Sequence, residues 1–187
     1  MNPLQAEFDH RCALPSDINE HLAMLSRLAF NCDGDVAEFG VRTGNSRVAL
    51  LHGMLVIEPW PKGHTRTLHS YDVVEHRVDL NGAIWRRAEA EWKFIRADTS
   101  RLADIPPVDL LFIDSLHTCE QVQAELKHAH RVNRFIVLHD TVLFGSAGEE
   151  GQPGIMQAVL GFLARNQEWR VHCHAANNNG LLVLRRG

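Results

Sequence analysis

"VAEFGVRTGNS", residues 36–46, decides how the rest of this 187-residue chain is read. An apolar run carries an acidic residue, Glu38. Gly40 and Gly44 follow, and Asn45 and Ser46 open a new stretch. A glycine turn between a strand and a helix is where open α/β sheets meet nucleotide-type ligands. Gly40 and Gly44 permit backbone angles or a close approach that a side chain would block. No Gly-Lys-Ser/Thr follows, so this is not a Walker-type phosphate loop. It is also a poor dinucleotide fingerprint, because Arg42 stands where the second glycine of G-x-G-x-x-G would be. An acidic residue ahead of the turn repels phosphate and suits a cationic or amine-bearing ligand.

Outward from this turn, short apolar runs alternate with helical patterns. Ile18, Leu22, Leu25 and Leu28 recur at helical spacing in a predicted helix over 17–32, with Ser16 or Asp17 as its cap. Strands are expected at 35–40, 66–73, 93–98, 108–115 and 134–140. Helices are expected at 45–55, 80–92, 118–132 and 154–166, the third capped by Thr118 with Gln121 three residues on. Strands at 169–175 and 180–186, joined through "ANNNG", read as an antiparallel hairpin at a sheet edge. The nearly continuous apolar runs "DLLFI" and "FIVL" fit central strands buried on both faces. The expected fold is α/β: a doubly wound, mostly parallel sheet with helices on both faces. "IEPWPKGHTR" and "FGSAGEEGQPG" read as loops, the second a substrate lid.

Composition narrows the function classes. Hydrophobic residues make up 45% of the chain, charged residues 22%, and the net charge is −4 with histidine neutral. That balance fits one globular unit and gives no electrostatic footprint for nucleic acid. No run is apolar and long enough to span a membrane, and the N-terminus has no apolar leader segment. Cys12, Cys32, Cys119 and Cys173 show no C-x-x-C pairing and read as reduced thiols of a cytoplasmic protein.

In open parallel sheets, ligands bind beyond the carboxyl ends of the strands. Here the first expected strand ends at Glu38 and Gly40, the second at Asp72, the third at Asp98, the fourth at Asp114, and the fifth at His139 and Asp140. A lone acidic residue at a strand end is usually a turn former or cap, and Asp98 competes with Ser100 as the cap of "TSRLADI". Five acidic strand ends in register favour a site over five coincidences.

The order "VAEFGVRTGNS", "LHSYD", "FIRADTS", "VDLLFIDSLHTCEQVQAEL", "RFIVLHDT" and "GLLVLRR" resembles class I S-adenosylmethionine-dependent methyltransferases. More narrowly it resembles the small O-methyltransferases related to the cephalosporin-hydroxylase and macrolide-sugar methyltransferase group. The resemblance covers residues 33–187, behind a helical arm at 1–32. It implies a Rossmann-like seven-stranded sheet with an antiparallel C-terminal strand, and transfer of a methyl group from S-adenosylmethionine to a small-molecule acceptor, at a hydroxyl. By the same resemblance Glu38, Gly40 and Gly44 shape the pocket for the amino-acid half of the cofactor. Ser46 bonds its carboxylate at a helix start. Asp72 takes the ribose hydroxyls, Asp98 with Thr99 beside it takes the adenine amino group, and Asp114 completes the cofactor set.

The resemblance also implies a reaction cluster. Asp114, His139 and Asp140 would hold a divalent cation, and His117, three residues after Asp114, would be the general base. Magnesium favours oxygen ligands, whereas a mixed nitrogen and oxygen set suits Mn²⁺, Fe²⁺ or Zn²⁺ better. A site with no metal at all is the equal alternative. The other histidines and Trp60, Trp85, Trp92 and Trp169 read as packing or surface residues. Two rival functions remain: a cofactor-binding protein without turnover, and an NAD-dependent oxidoreductase, which Arg42 and the closing hairpin disfavour. The helix over 17–32 either covers the sheet or pairs with a second copy in a homodimer.

Overall fold

The computed structural model describes residues 2–55, 65–75 and 90–187. Its seven strands are β1 (Val36–Phe39), β2 (Arg66–Asp72), β3 (Ala90–Arg96), β4 (Val108–Ile113), β5 (Val132–His139), β6 (Trp169–Ala175) and β7 (Leu181–Arg186). They form one sheet in the order β3-β2-β1-β4-β5-β7-β6. β1 to β5 run parallel, and β7 is antiparallel to both of its neighbours. The order reverses at β1, where β2 and β4 leave on opposite sides, so this is the sheet's switch point. β1 and β4 are buried along their whole length, as strands covered on both faces must be.

The helices are α1 (Pro3–Ala13), α2 (Leu22–Phe30), α3 (Asn45–Leu55), α4 (Cys119–Glu125) and α5 (Ile155–Arg165). Two apolar clusters flank the sheet. One joins α1, α2 and α3 through Leu4, Phe8, Leu25, Leu51 and Met54. The other joins α4 and α5 through Val122, Ala158, Val159 and Phe162. Among the described residues, no helix is long and apolar enough to cross a membrane.

Several elements depart from the sequence expectation. Residues 80–89 of the expected helix over 80–92 lie outside the described residues, but 90–92 belong to β3. Ala90, Glu91 and Trp92 pair with Arg66, Thr67 and Leu68 of β2, and this ladder overrides the helical look of "AEAEW". The expected helix over 118–132 splits into α4 and a 3-10 turn over Leu126–Arg131. Thr118 caps α4 by accepting from the Gln121 backbone N–H, but the Gln121 side chain turns to Thr99 and Glu125 instead of closing a capping box. The helix over 17–32 begins only at Leu22, after a 3-10 turn. Within the helical arm expected over 1–32, no separate helix is read at 3–13, although Asn2 caps α1 and Pro3 opens it. It buries only Leu4 and Phe8, too few for an apolar period to stand out.

The arm packs on α3. His52 of α3 stacks on Phe8 with ring centroids 3.9 Å apart, and its two nitrogens meet Ser26 at 2.7 Å and Gln5 at 2.9 Å. One imidazole therefore ties α1, α2 and α3 together. Gly53 lets α2 approach closely, since a Cβ there would lie 2.0 Å from the Ser26 carbonyl oxygen. α2 thus covers the sheet, the first of its two expected roles.

Gly40 sets the second close approach. Its φ is +87°, and a Cβ there would lie 2.0 Å from the backbone oxygen of Asp114. Gly40→Ala should therefore lower the unfolding free energy by about 2 kcal/mol or more. A urea titration followed by tryptophan fluorescence measures this, and a loss below about 0.5 kcal/mol would contradict the geometry.

Candidate active site

A cleft of about 550 Å³ opens at the carboxyl ends of β1 to β4. Of the residues singled out in the sequence, Gly40, Asp72, Asp98, Thr99 and Asp114 line it; Glu38, Gly44 and Ser46 do not. Further lining residues, not among the expected site residues, include Tyr71, Val73, Val74 and Leu116, with Ser115, Gln121 and Glu149 as polar members. Val73, Val74 and Leu116 are about half exposed, so three aliphatic side chains face the cleft where a planar ring could lie between them. Each follows a strand-end carboxylate by one or two residues, which is the signal that could have found them.

Asp72 holds the glycine turn. Its Oδ2 accepts from the backbone N–H of Val41 at 2.8 Å and of Arg42 at 3.2 Å, and its Oδ1 accepts from Val74 N–H at 3.0 Å. Arg42 itself has φ +42° and pairs with Asp17 at 2.5 Å, while Arg11 of α1 reaches Asn45 at 2.6 Å and the Thr43 carbonyl at 3.2 Å. The arm thus braces the turn from outside. Asp98 accepts from the backbone N–H and hydroxyl of Ser100, at 3.0 and 2.6 Å, and these bonds hold its carboxyl below the usual range. Asp98 is therefore both the cap of the following turn and a lining residue of the cleft.

Glu38 lies in the core. It has no exposed surface, and it accepts from Ser46 at 3.0 Å and from Ser70. Ser70 in turn accepts from the Trp92 indole N–H at 2.9 Å, and the guanidinium of Arg47 lies 4.4 Å from the centroid of the same indole. Burial pushes the Glu38 carboxyl up to about 7, against the pull of Ser70, Arg47 and Ser46. The contact made by Ser46 is thus to Glu38, at the first turn of α3.

A charged cluster closes the other end of the cleft. His117 Nε2 lies 2.9 Å from Asp140 Oδ2 and 3.3 Å from Asp114 Oδ1, and its Nδ1 lies 2.7 Å from Glu149 Oε1. Its ring stacks on Phe144 with centroids 4.8 Å apart. His139 Nδ1 faces the same two aspartates at 3.3 and 3.5 Å. Its Nε2 is 3.3 Å from the Asn178 carbonyl oxygen, and its ring meets His21 edge-on. Burial works against charge on both imidazoles, but the bonds and charges of Asp114 and Asp140 outweigh it and raise both to about 10. Burial likewise opposes ionisation of the two aspartates, and the imidazoles overcome it, holding both carboxyls below their ordinary value.

The set that could take a cation includes His117 beside the expected residues, since His139 Nδ1 faces Asp114 and Asp140 as His117 Nε2 does. One ligand atom each from Asp114, His117 and Asp140 lie within 4.8 Å of one another. His139, the last residue of β5, has a side chain only 1% exposed, enclosed beside Asn178 and His21, whereas His117 stands on the loop after β4.

A family model described as a methyltransferase domain matches residues 37–141. The chain belongs to this methyltransferase family. The matched segment runs from β1 to just past the end of β5, so it contains the glycine turn and all of the cleft lining and charged cluster except Glu149. Solved methyltransferases share the fold. The O-methyltransferase from Bacillus cereus, in complex with S-adenosylhomocysteine, is 14% identical with a TM-score of 0.61, covering 100% of this chain and 91% of that one. The N-methyltransferase NodS from Bradyrhizobium japonicum, also with S-adenosylhomocysteine, is 14% identical with a TM-score of 0.56, covering 100% and 98%. MycE of the mycinamycin biosynthetic pathway, in complex with Mg and S-adenosylhomocysteine, is 15% identical with a TM-score of 0.59, covering 100% of this chain and 54% of that one. Among curated proteins, none matches this methyltransferase by sequence.

The raised carboxyl of Glu38 makes the methyltransferase's stability depend on pH. Below its ordinary 4.5 the carboxyl is protonated both folded and unfolded. Between 4.5 and about 7 the unfolded chain ionises while the folded one keeps its proton, so stability is lost as pH rises. Relative to Glu38→Gln, the wild type should lose on the order of 3 kcal/mol of unfolding free energy across that window. Paired denaturant titrations at several pH values measure the difference, and one that does not change with pH would contradict the assignment.

Proposed function

We propose that this methyltransferase uses S-adenosylmethionine as methyl donor and acts on a small-molecule acceptor, at a hydroxyl. The observation that carries this reading is the pairing of a cleft at the sheet's switch point with a proton-handling cluster at its far end. The cofactor's amino-acid half would lie along the Gly40 turn, near Gly44 and the first turn of α3. Glu38 would act there indirectly, by holding Ser46 and the start of the helix. Asp72 would meet the ribose from β2, and Asp98 and Thr99 the adenine from the end of β3. Asp114 would stand where the cleft meets the cluster.

The sulfonium supplies the reactivity, so the protein's task is to align acceptor and donor and to take up a proton. His117 is the residue with a nitrogen at the junction, but it rests among Asp114, Asp140 and Glu149 and there holds its proton up to about pH 10. A general base must start unprotonated. His117 meets that condition at neutral pH when positive charge other than its own sits between Asp114 and Asp140. The residues fit a divalent cation: a mixed nitrogen and oxygen set converges, and the buried Asp140 Oδ1 has no hydrogen-bond partner among the described residues. Asp114, Asp140 and the His139 nitrogen that faces them would hold such an ion, leaving the His117 lone pair free to act as base; the ion would draw in the acceptor's oxygen and lower its hydroxyl pKa. Otherwise the aspartates serve by accepting the hydroxyl hydrogen and fixing the acceptor's orientation.

Calorimetry with S-adenosylhomocysteine should show binding, and absence of binding would overturn the reading. His117→Gln should cut methyl transfer to a competent acceptor by about 100-fold or more. It should leave S-adenosylhomocysteine affinity within about threefold, because His117 does not line the cleft. Radiolabelled methyl transfer and calorimetry read the two quantities separately. An unchanged rate would remove His117 from the reaction.

A further inference from the structure

We propose that Glu125 is a positioning residue that turns the side chains on one wall of the cleft into hydrogen-bond acceptors only, so that these side chains select a ligand edge bearing an amino group. The inference rests on the S-adenosylmethionine reading and adds to it a residue outside the cleft. Glu125 ends α4, has no exposed surface, and stands behind three lining residues. Its Oε1 accepts from Thr99 Oγ1 at 2.5 Å, from Ser115 Oγ at 2.6 Å and from Gln121 Nε2 at 2.9 Å.

Those bonds use up the donors of all three side chains. A hydroxyl has one hydrogen, and those of Thr99 and Ser115 both go to Glu125. An amide nitrogen has two. One of Gln121's goes to Glu125, and the other goes to Thr99 Oγ1 at 2.9 Å. What these side chains can still offer the cleft is lone pairs on Ser115 Oγ and Thr99 Oγ1, and the carbonyl oxygen of Gln121. Asp98, on the same wall, is occupied by donors from Ser100 and offers only oxygen as well. The polarity does not depend on the state of Glu125, since a proton held there would sit on Oε2, the oxygen without a hydrogen-bond partner among the described residues.

An acceptor-only wall bonds an exocyclic amine and opposes a carbonyl oxygen in the same place. A 6-amino purine is therefore favoured over a 6-oxo purine on an otherwise identical ligand. The test is calorimetry on the full chain with S-adenosylhomocysteine and its deaminated analogue, S-inosylhomocysteine. The wild type should bind the amino form about tenfold more tightly or better. Glu125→Met frees both hydroxyls to rotate, and the preference should collapse to within about twofold. Mere structural damage would weaken both ligands alike and leave the ratio standing, so the ratio is the readout. An undiminished preference in folded Glu125→Met overturns the proposal. Should that variant fail to fold, Ser115→Ala and Thr99→Val each delete one acceptor and should each lower the preference about threefold; no change in either overturns it. Equal binding of the two ligands by the wild type defeats this inference alone. Binding of neither defeats the cofactor reading beneath it.

Discussion

The backbone contact between Gly40 and Asp114 is the constraint on which the site depends. β1 and β4 are neighbours, and at their carboxyl ends the chain must leave β1 without a side chain in the way. Gly40 donates to the Tyr71 carbonyl at 2.9 Å, and Asp114 donates to the Phe39 carbonyl at 2.8 Å, so the turn is bonded to both flanking strands. The contact sets two things at once. On one side it opens the cleft beneath the glycine turn; on the other it fixes the backbone from which Asp114 reaches His117 and His139. Donor pocket and proton-handling cluster are joined by a contact too short for a methyl group to enter.

The buried carboxylates behave differently according to what surrounds them. Glu38 has hydroxyl donors and a guanidinium nearby, and burial dominates, so its proton is held unusually tightly. Asp114 and Asp140 face two imidazoles, and there the partners win over burial. Glu125 has three donors on one oxygen, yet burial still raises its carboxyl. One cleft is thus framed by acidic groups with opposite tendencies, a pattern that marks functional sites more than simple packing does.

Much of this was legible in the sequence because strand ends announce themselves. An apolar run that stops at an acidic residue fixes both the strand and the side of the sheet where its ligand lies. Asp72, Asp98 and Asp114 reached the cleft for that reason. Position along the chain does not say which way a side chain faces. His139 stands in register with the strand ends and does face Asp114 and Asp140, but the rest of its ring is enclosed beside Asn178 and His21. His117 and Glu149 meet across 32 residues, and Glu125 meets Thr99 across 26, distances over which no local period carries information. Glu38 was read as a wall of the pocket, but the turn it precedes puts it beneath the surface. α1 was hidden because a helix with two buried side chains leaves almost no apolar pattern.

The loop between β6 and β7 adds an order of assembly to the architecture. Asn177 and Asn178 grip Ser16, Glu20 and His21, residues more than 150 positions earlier, and Asn178 also touches His139. β7 sits inside the sheet, between β5 and an edge strand that precedes it in the chain. During synthesis the arm emerges more than 150 residues ahead of the β6–β7 loop, so the link between α1 and α2 has no seat until that loop appears. Loop closure on that scale is slow, so the arm, its brace on the glycine turn, and the lining around His139 should settle together at the end of folding. The arm is thus made well before its seat and put in place only after it.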